Sequence, residues 1–321
     1  MESGKLALLI AAALFTTSDP RAQTYPVKPV RVIVPITVGS GNDIVVRLLS
    51  QKLADAWGQP VLVENRPGGG TTAGTAAVAR APSDGYTLLG SGSGFATSQA
   101  ISTKLPYDPL KDLIAIAPLA RLVQVLVTAP SAGYASVAEL VAAAKARPGQ
   151  ITYASPGTGT GVHFTMEKFR IESGIDAMHV PYKGGPEAMN DVIAGRVTFS
   201  IPSIGTAMPF IRGGQLRALG VTSLTRAPDL PGVSTLDEAG VRGFEDVIWF
   251  GMWSPAGTPP AIVEKIAGDI ARALALPETR DQLAKLSSEP MSMSPADFSR
   301  FVRREIESAS RVAKAANITA Q

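Results

Sequence analysis

The chain has 321 residues, 45% hydrophobic and 18% charged, a folded composition longer than one core usually serves, so two domains are expected. Thirty basic residues against 27 acidic leave a net charge of +3, and no basic stripe interleaved with aromatics accompanies it, which argues against a nucleic-acid surface. Cysteine is absent, which excludes disulfides, thiolate catalysis and cysteine-ligated zinc.

The N-terminus carries Lys5 and then an apolar run, Leu6–Phe15. A bilayer span needs ~20 apolar residues, so this run reads as the core of a signal peptide over 1–23, cleaved after Ala22 or Gln23, with export to the periplasm. From Pro29 the pattern alternates: strand Val30–Pro35, helix Asp43–Trp57, strand Val61–Glu64, helix Thr71–Arg80 and strand Tyr86–Leu89, which opens into a glycine loop at 90–94. A β-rich run, Leu122–Thr128, leads away to a helix over Val137–Ala146, with Ser136 as N-cap and Glu139 in the capping-box position. A second α/β unit follows: strand Ile151–Ala154, helix His163–Glu172, strand Ala177–Pro181, helix Pro186–Ala194 and strands Val197–Ile201 and Leu216–Val221. An extended return, Val247–Trp253, precedes helices Ile262–Ala275, Pro277–Leu286 and Pro295–Ala316. Strand–helix alternation predicts parallel, doubly wound sheets. The two crossings predict that one domain, 125–247, is inserted into another made of 24–124 and 248–321, with a ligand cleft between them.

One phrase occurs twice: a β-rich run, a loop of glycines and small hydroxyl residues, and an immediate helix. The copies run from Val30 to Leu53 and from Ile151 to Phe169. Such a turn aims free N–H groups and the positive end of a helix dipole at one point, which suits an anion. A dinucleotide loop needs G-x-G-x-x-G and a P-loop ends in Gly-Lys-Ser/Thr; neither pattern is present. No serine is framed as G-x-S-x-G. His163 and His179 are the only imidazoles. His163 opens a helix after a glycine loop and is expected to face ligand, whereas His179 alternates within a strand and reads as a core or rim histidine. His163 and Glu167 share a helical face without a third metal ligand nearby. No catalytic residue, metal or cofactor is therefore expected. Tyr182, after a strand and before Gly184-Gly185, is expected at the cleft wall. Trp253 reads as hinge packing, and Arg66 and Asp84 as turn-holding residues.

The runs YPVKPVRVIVP (Tyr25–Pro35), GQPVLVENRPGGG (Gly58–Gly70), SDGYTLL (Ser83–Leu89), LPYDPLKDL (Leu105–Leu113), HVPYKGG (His179–Gly185), LRALGVTS (Leu216–Ser223) and WFGMWSPAGTP (Trp249–Pro259) add a further signal. Together they make a chain that resembles the Bug family, the periplasmic solute-binding receptors of tripartite tricarboxylate transporters. The resemblance implies an α/β, two-domain periplasmic binding protein fold of type II, a Venus flytrap in which each domain is a doubly wound sheet flanked by helices. It implies a monomeric receptor that holds a small organic carboxylate and hands it to two membrane transporter subunits. Its grip would lie in the loops matching 37–43 and 155–160, which brings in Thr37, Val38, Gly39, Ser40, Asn42, Asp43, Ser155, Thr158, Gly159 and Thr160. Ser91, Ser93 and His163 would line the same cleft. The first loop departs from the family's P-F-P-P-G-G-x-x-D, reading Pro35-Ile36-Thr37-Val38-Gly39-Ser40-Gly41-Asn42-Asp43. Pro202-Ser203 stands where many members carry an aspartate, which adds Ser203 to the expected contacts. A ligand sensor for a membrane signalling partner, and a small-molecule hydrolase in the same cleft, stay open as alternatives.

Overall fold

A computed structural model describes residues 25–102 and 104–319; the expected signal peptide lies outside the described residues. The chain first builds β1 (Val30–Val34), α1 (Gly41–Trp57), β2 (Val61–Asn65), α2 (Thr72–Ala79), β3 (Thr87–Gly92) and α3 (Ser93–Ile101). β1 pairs in parallel with β2 on one side and β3 on the other. Val30, Val32, Ile33 and Val34 are fully buried, because helices cover both faces of the strand.

A long strand, β4 (Leu113–Val123), gives way to β5 (Val125–Thr128) after the single residue Gln124. Then come α4 (Val137–Ala146), β6 (Ile151–Ser155), α5 (Gly161–Ser173), β7 (Ala177–Pro181), α6 (Gly185–Ile193), β8 (Phe199–Ser200), α7 (Ile204–Arg212) and β9 (Arg217–Val221). The chain returns through β10 (Val247–Pro255) and ends in α8 (Pro260–Ala275), α9 (Pro277–Lys285), β11 (Ser288–Pro290) and α10 (Pro295–Ala316).

Two sheets result, a six-stranded one in the order β11-β4-β10-β3-β1-β2 and a five-stranded one in the order β7-β6-β8-β5-β9. Each is mixed rather than wholly parallel. β10 runs antiparallel to β3 and β4, and β5 runs antiparallel to β8 and β9. β10 and β5 each enter their sheet from the other unit and run opposite to the βαβ strands beside them, β3 and β8.

Each sheet has its own apolar core. Val32, Leu49, Leu88, Ile116 and Ile266 centre one beneath the six-stranded sheet, and Tyr153, Phe169, Phe199 and Phe244 centre another beside the five-stranded sheet. A small third cluster joins the units: Phe164 of α5 meets Ala309 and Ala313 of α10. Trp249 and Trp253 are buried against Phe298 on one face of β10; packing was expected of Trp253 alone. Among the described residues no helix is long and apolar enough to cross a membrane.

The expected loop at 90–94 is instead the end of a strand running straight into α3. A Cβ at Gly90 would stand 2.6 Å from Val46, and one at Gly92 would stand 2.1 Å from the Trp249 carbonyl oxygen. Glycine is used here for close approach, not for a turn. The helices α3 and α7 were not expected: small residues hide the first, and Pro209 lies inside the second. α1 starts two residues earlier than its apolar stripe implied, because Ser40 caps it.

Gly92→Ala is expected to lower stability by about 3 kcal/mol, since the added carbon meets backbone that cannot rotate away. Gly185→Ala, with nothing within 4 Å of the new carbon, should change urea-melt stability far less.

Candidate functional site

The two copies of the repeated phrase fold into the same capping geometry. In the first, Ser40 Oγ accepts from Asp43 N (3.3 Å), and Asp43 Oδ2 turns back to accept from Gly39 N (2.9 Å). In the second, Thr160 Oγ1 accepts from His163 N (3.3 Å), and His163 Nδ1 accepts from Gly159 N (3.1 Å). Gly39 and Gly159 adopt φ of 80° and 81°, a left-handed conformation that glycine reaches without a Cβ penalty. The shared pattern is Gly-(Ser/Thr)-Gly-x-(Asp/His). Its second glycine opens the helix and lies against β10, Gly41 facing Phe250 and Gly161 facing Ile248.

Asp43 is 1% exposed and its carboxylate is used entirely inside the protein. Oδ1 accepts from Arg47 Nε (3.0 Å) and Asn65 Nδ2 (2.9 Å), and Asn65 Nδ2 also reaches the Ile36 carbonyl. Burial opposes its charge, but hydrogen bonds from Arg47, the Gly39 N–H and Asn65 outweigh that and hold the carboxyl below its ordinary range. Asp43 therefore shapes the first loop and does not face the cleft.

The cleft between the two sheet units holds two joined chambers. The larger has a volume of about 520 Å³, and its walls include Ile36, Val45, Leu122, Met189, Ile248 and Phe250. The smaller, about 140 Å³, is rich in hydroxyls, from Thr71, Ser91, Ser93 and Thr160. Asn42, Val162, Ile248 and Phe250 line both. The first turns of α3 and α5 converge on the small chamber through Ser93-Gly94 and Gly161-Val162. Strand alternation along β10 turns Ile248 and Phe250 into the cleft while Trp249 stays in the core, and the register shifts just after Phe250. Thr71 holds φ at 87°, uncommon for a β-branched residue, and its hydroxyl lies 3.1 Å from Ser98 Oγ. Among the described residues, Lys285 is the only charged one lining either chamber.

Of the expected site residues, Asn42, Ser91, Ser93, Thr160 and Ser203 line the chambers. Thr37, Val38 and Gly39 form an exposed loop tip, Val38 at 72% exposure, and Ser40 is spent as a cap. Thr158 and Gly159 lie on the second loop outside the lining. Tyr182 is outside both linings: it packs on the cluster of Ala188, Met189 and Val192, and its hydroxyl donates to Asp191. Ser155 is fully buried, with Oγ 2.6 Å from His179 Nε2. The expectation that His163 faces ligand does not hold: the ring is 4% exposed, stacked on His179 at 4.0 Å, and turned away from the cleft by its bond to Gly159. Burial lowers the His163 pKa, and burial with the neighbouring His163 pushes His179 down to about 4, so both rings are neutral at pH 7. Glu167 is engaged by the Tyr153 hydroxyl and Arg170, and among the described residues no cluster of metal-ligating side chains is present. Arg66 pairs with Glu64 and Asp84 receives Tyr86 N, as expected of turn-holding residues.

Phe250, Ile248, Val162, Met189, Thr206 and Lys285 belong to the site and were not expected there. One signal was available: Ser203 and Thr206 stand three apart before an apolar run, the spacing of a helix start, and their hydroxyls meet at 2.8 Å.

A further cavity of about 310 Å³ lies under α10 and adjoins the small chamber at Ser93, Gly161 and Ile248; its other walls include Arg121, Lys168, Asp246, Arg304 and Glu305. Burial pushes Asp246 up to about 7. Its charged walls contrast with the almost uncharged cleft.

Comparison with known proteins gives a consistent result. The family model "Tripartite tricarboxylate transporter family receptor" matches residues 45–318. Protein BugT of Bordetella pertussis is 35% identical over 288 residues, covering 89% of this chain and 88% of that protein. The structure of R. palustris Rpa4515 with adipate superposes with a TM-score of 0.80 at 32% identity, over 92% of this chain and 99% of the other. MatC from Rhodopseudomonas palustris with bound malate gives 0.75 at 29% identity, over 90% and 99%.

Asp43→Ala is expected to cost roughly 2–3 kcal/mol by orphaning the Gly39 N–H, Asn65 and Arg47. Because the folded pKa is depressed, the carboxylate's contribution is present above its ordinary value and is lost as pH falls below it. Chemical melts of Asp43→Asn should accordingly show a shallower loss of stability in acid than the parent.

Proposed function

The chain belongs to the tripartite tricarboxylate transporter family of receptors, and from that premise we propose that it captures a small organic carboxylate in its cleft and delivers it to the membrane subunits of such a transporter. The family consists of periplasmic solute-binding receptors, and relatives of known structure hold adipate and malate. The observation that carries the reading is the small chamber, where two helix starts and the Ser91 and Ser93 hydroxyls converge and, among the described residues, no acidic side chain lines the wall. A carboxylate there receives hydrogen bonds from hydroxyls and free N–H groups, and each helix end adds roughly 0.3–1 kcal/mol. α1 contributes less than α3 and α5, because its first turn already carries the Asp43 charge. The rest of the ligand would lie along Ile248, Phe250 and Val162 towards Lys285, Ser203 and Thr206.

In this reading the two sheet units are the domains, 24–124 with 248–321 and 125–247, and they close on the ligand by hinging at the crossings. Export through residues 1–23 completes the proposal. Turnover is not part of it. The serine–histidine pair Ser155–His179 lies outside both chamber linings, and His163 is occupied by Gly159.

Thermal-shift screening with adipate and malate tests the proposal. A hundredfold excess over Kd should stabilise the protein by roughly 2.7 kcal/mol, and the acid should be recovered unchanged. Conversion of the probe, or no stabilisation by any carboxylate, would refute it. Val162→Trp should fill both chambers and abolish binding with the far-UV spectrum intact, whereas Val38→Trp, on the exposed loop tip, should bind normally. Lys285→Met should weaken a dicarboxylate roughly threefold to fivefold, the size of an exposed ion pair, and leave a monocarboxylate of equal length unchanged.

A further inference from the structure

The second glycine loop rests on a stack of aromatic rings that lies outside both chamber linings. Tyr153 of β6 stacks on His179 of β7 (4.9 Å, 14°), which stacks on His163 of α5 (4.0 Å, 15°). The ladder meets the loop at both ends. His179 Nε2 holds Ser155 Oγ, which also accepts from Gly157 N (3.2 Å), and His163 Nδ1 accepts from Gly159 N (3.1 Å). A backbone N–H can only donate, so neutral His163 must carry its proton on Nε2. Protonating Nδ1 would set two donors against each other across that contact. Charging both rings would bring two cations together at stacking distance.

We infer that His163 and His179 are positioning residues for the loop 155–161, holding it in its ligand-gripping shape while they are neutral and releasing it when they take up protons. The charged and titratable groups facing the pair are Glu167 and Arg170 on α5, Tyr153 on β6 and each histidine itself. Glu167 is occupied by Arg170 and the Tyr153 hydroxyl. Its charge favours protonation of His163, but burial outweighs it. With folded-state values below the ordinary 6.5, the ordered loop is fully favoured above that pH and loses that advantage as pH falls towards about 4. The consequence for ligand, a weaker grip in acid, rests on the carboxylate reading. The behaviour of the loop does not.

The test therefore uses the ligand-free protein. Hydrogen exchange of the 155–161 segment, corrected for intrinsic rate, should show the loop opening more than roughly tenfold more often at pH 4.5 than at pH 7, while α4 stays protected. Imidazole nitrogen shifts at pH 7 should show His163 unprotonated at Nδ1. His163→Asn and His179→Gln place a non-titrating amide where the ring nitrogen stood. Each should keep the loop protected at pH 7 and flatten its pH response. A pH-independent segment in the parent protein, or a proton on Nδ1 of His163 at pH 7, overturns the inference; the shift measurement needs no variant. An unchanged acid response in both variants also overturns it. Failure of every carboxylate to bind would remove the ligand consequence and leave the loop result standing.

Discussion

Where the chain passes from one sheet unit to the other, Thr222 ties both passages together. Its hydroxyl accepts from Gln124 N and its amide donates to the Gln124 carbonyl, while its carbonyl accepts from Asp246 N. Gln124 is fully buried, and its side chain reaches the Ile201 carbonyl and the Thr165 hydroxyl, so every polar group at the first crossing is satisfied. Unpaired polar groups would be costly at a site shielded from water, so the crossings are held in one arrangement.

β10 carries that constraint into the site. Its core-facing tryptophans anchor it against α10, and its other face presents Ile248 and Phe250 to the helix starts of α1 and α5. Gly41 and Gly161 lie directly beside it, where an added Cβ would stand at ordinary contact distance, 3.4 Å from Phe250 and 4.0 Å from Ile248. The helix N-termini and the apolar wall are thus parts of one packing solution. That explains how an almost uncharged cleft can hold an anion: the favourable terms come from fixed dipoles and hydroxyls, which need no counter-charge to be buried beside them.

Much of this was legible in the chain. The helix over Val137–Ala146 with its Ser136 cap, the strand Ala177–Pro181 and the helix Pro295–Ala316 stand where periodicity and capping residues put them. Both glycine loops were recognised as helix starts. The third-position residues misled, because Asp43 and His163 look like ligand groups in sequence. A side chain three positions into a helix can point outward or turn back to the loop that precedes it. Only the φ of Gly39 and Gly159, which swings their N–H groups toward the helix, selects the second.

The sequence by itself determined most of the elements, the repeated cap motif and the family, since these depend on residues close together in the chain. Tertiary structure decided which residues face the cleft. Phe250, Lys285 and Thr206 come from segments far apart in sequence, and their meeting depends on how the crossings orient the two units. Long-range packing also turned His163 inward onto His179, a contact between a helix and a neighbouring strand that no local periodicity encodes.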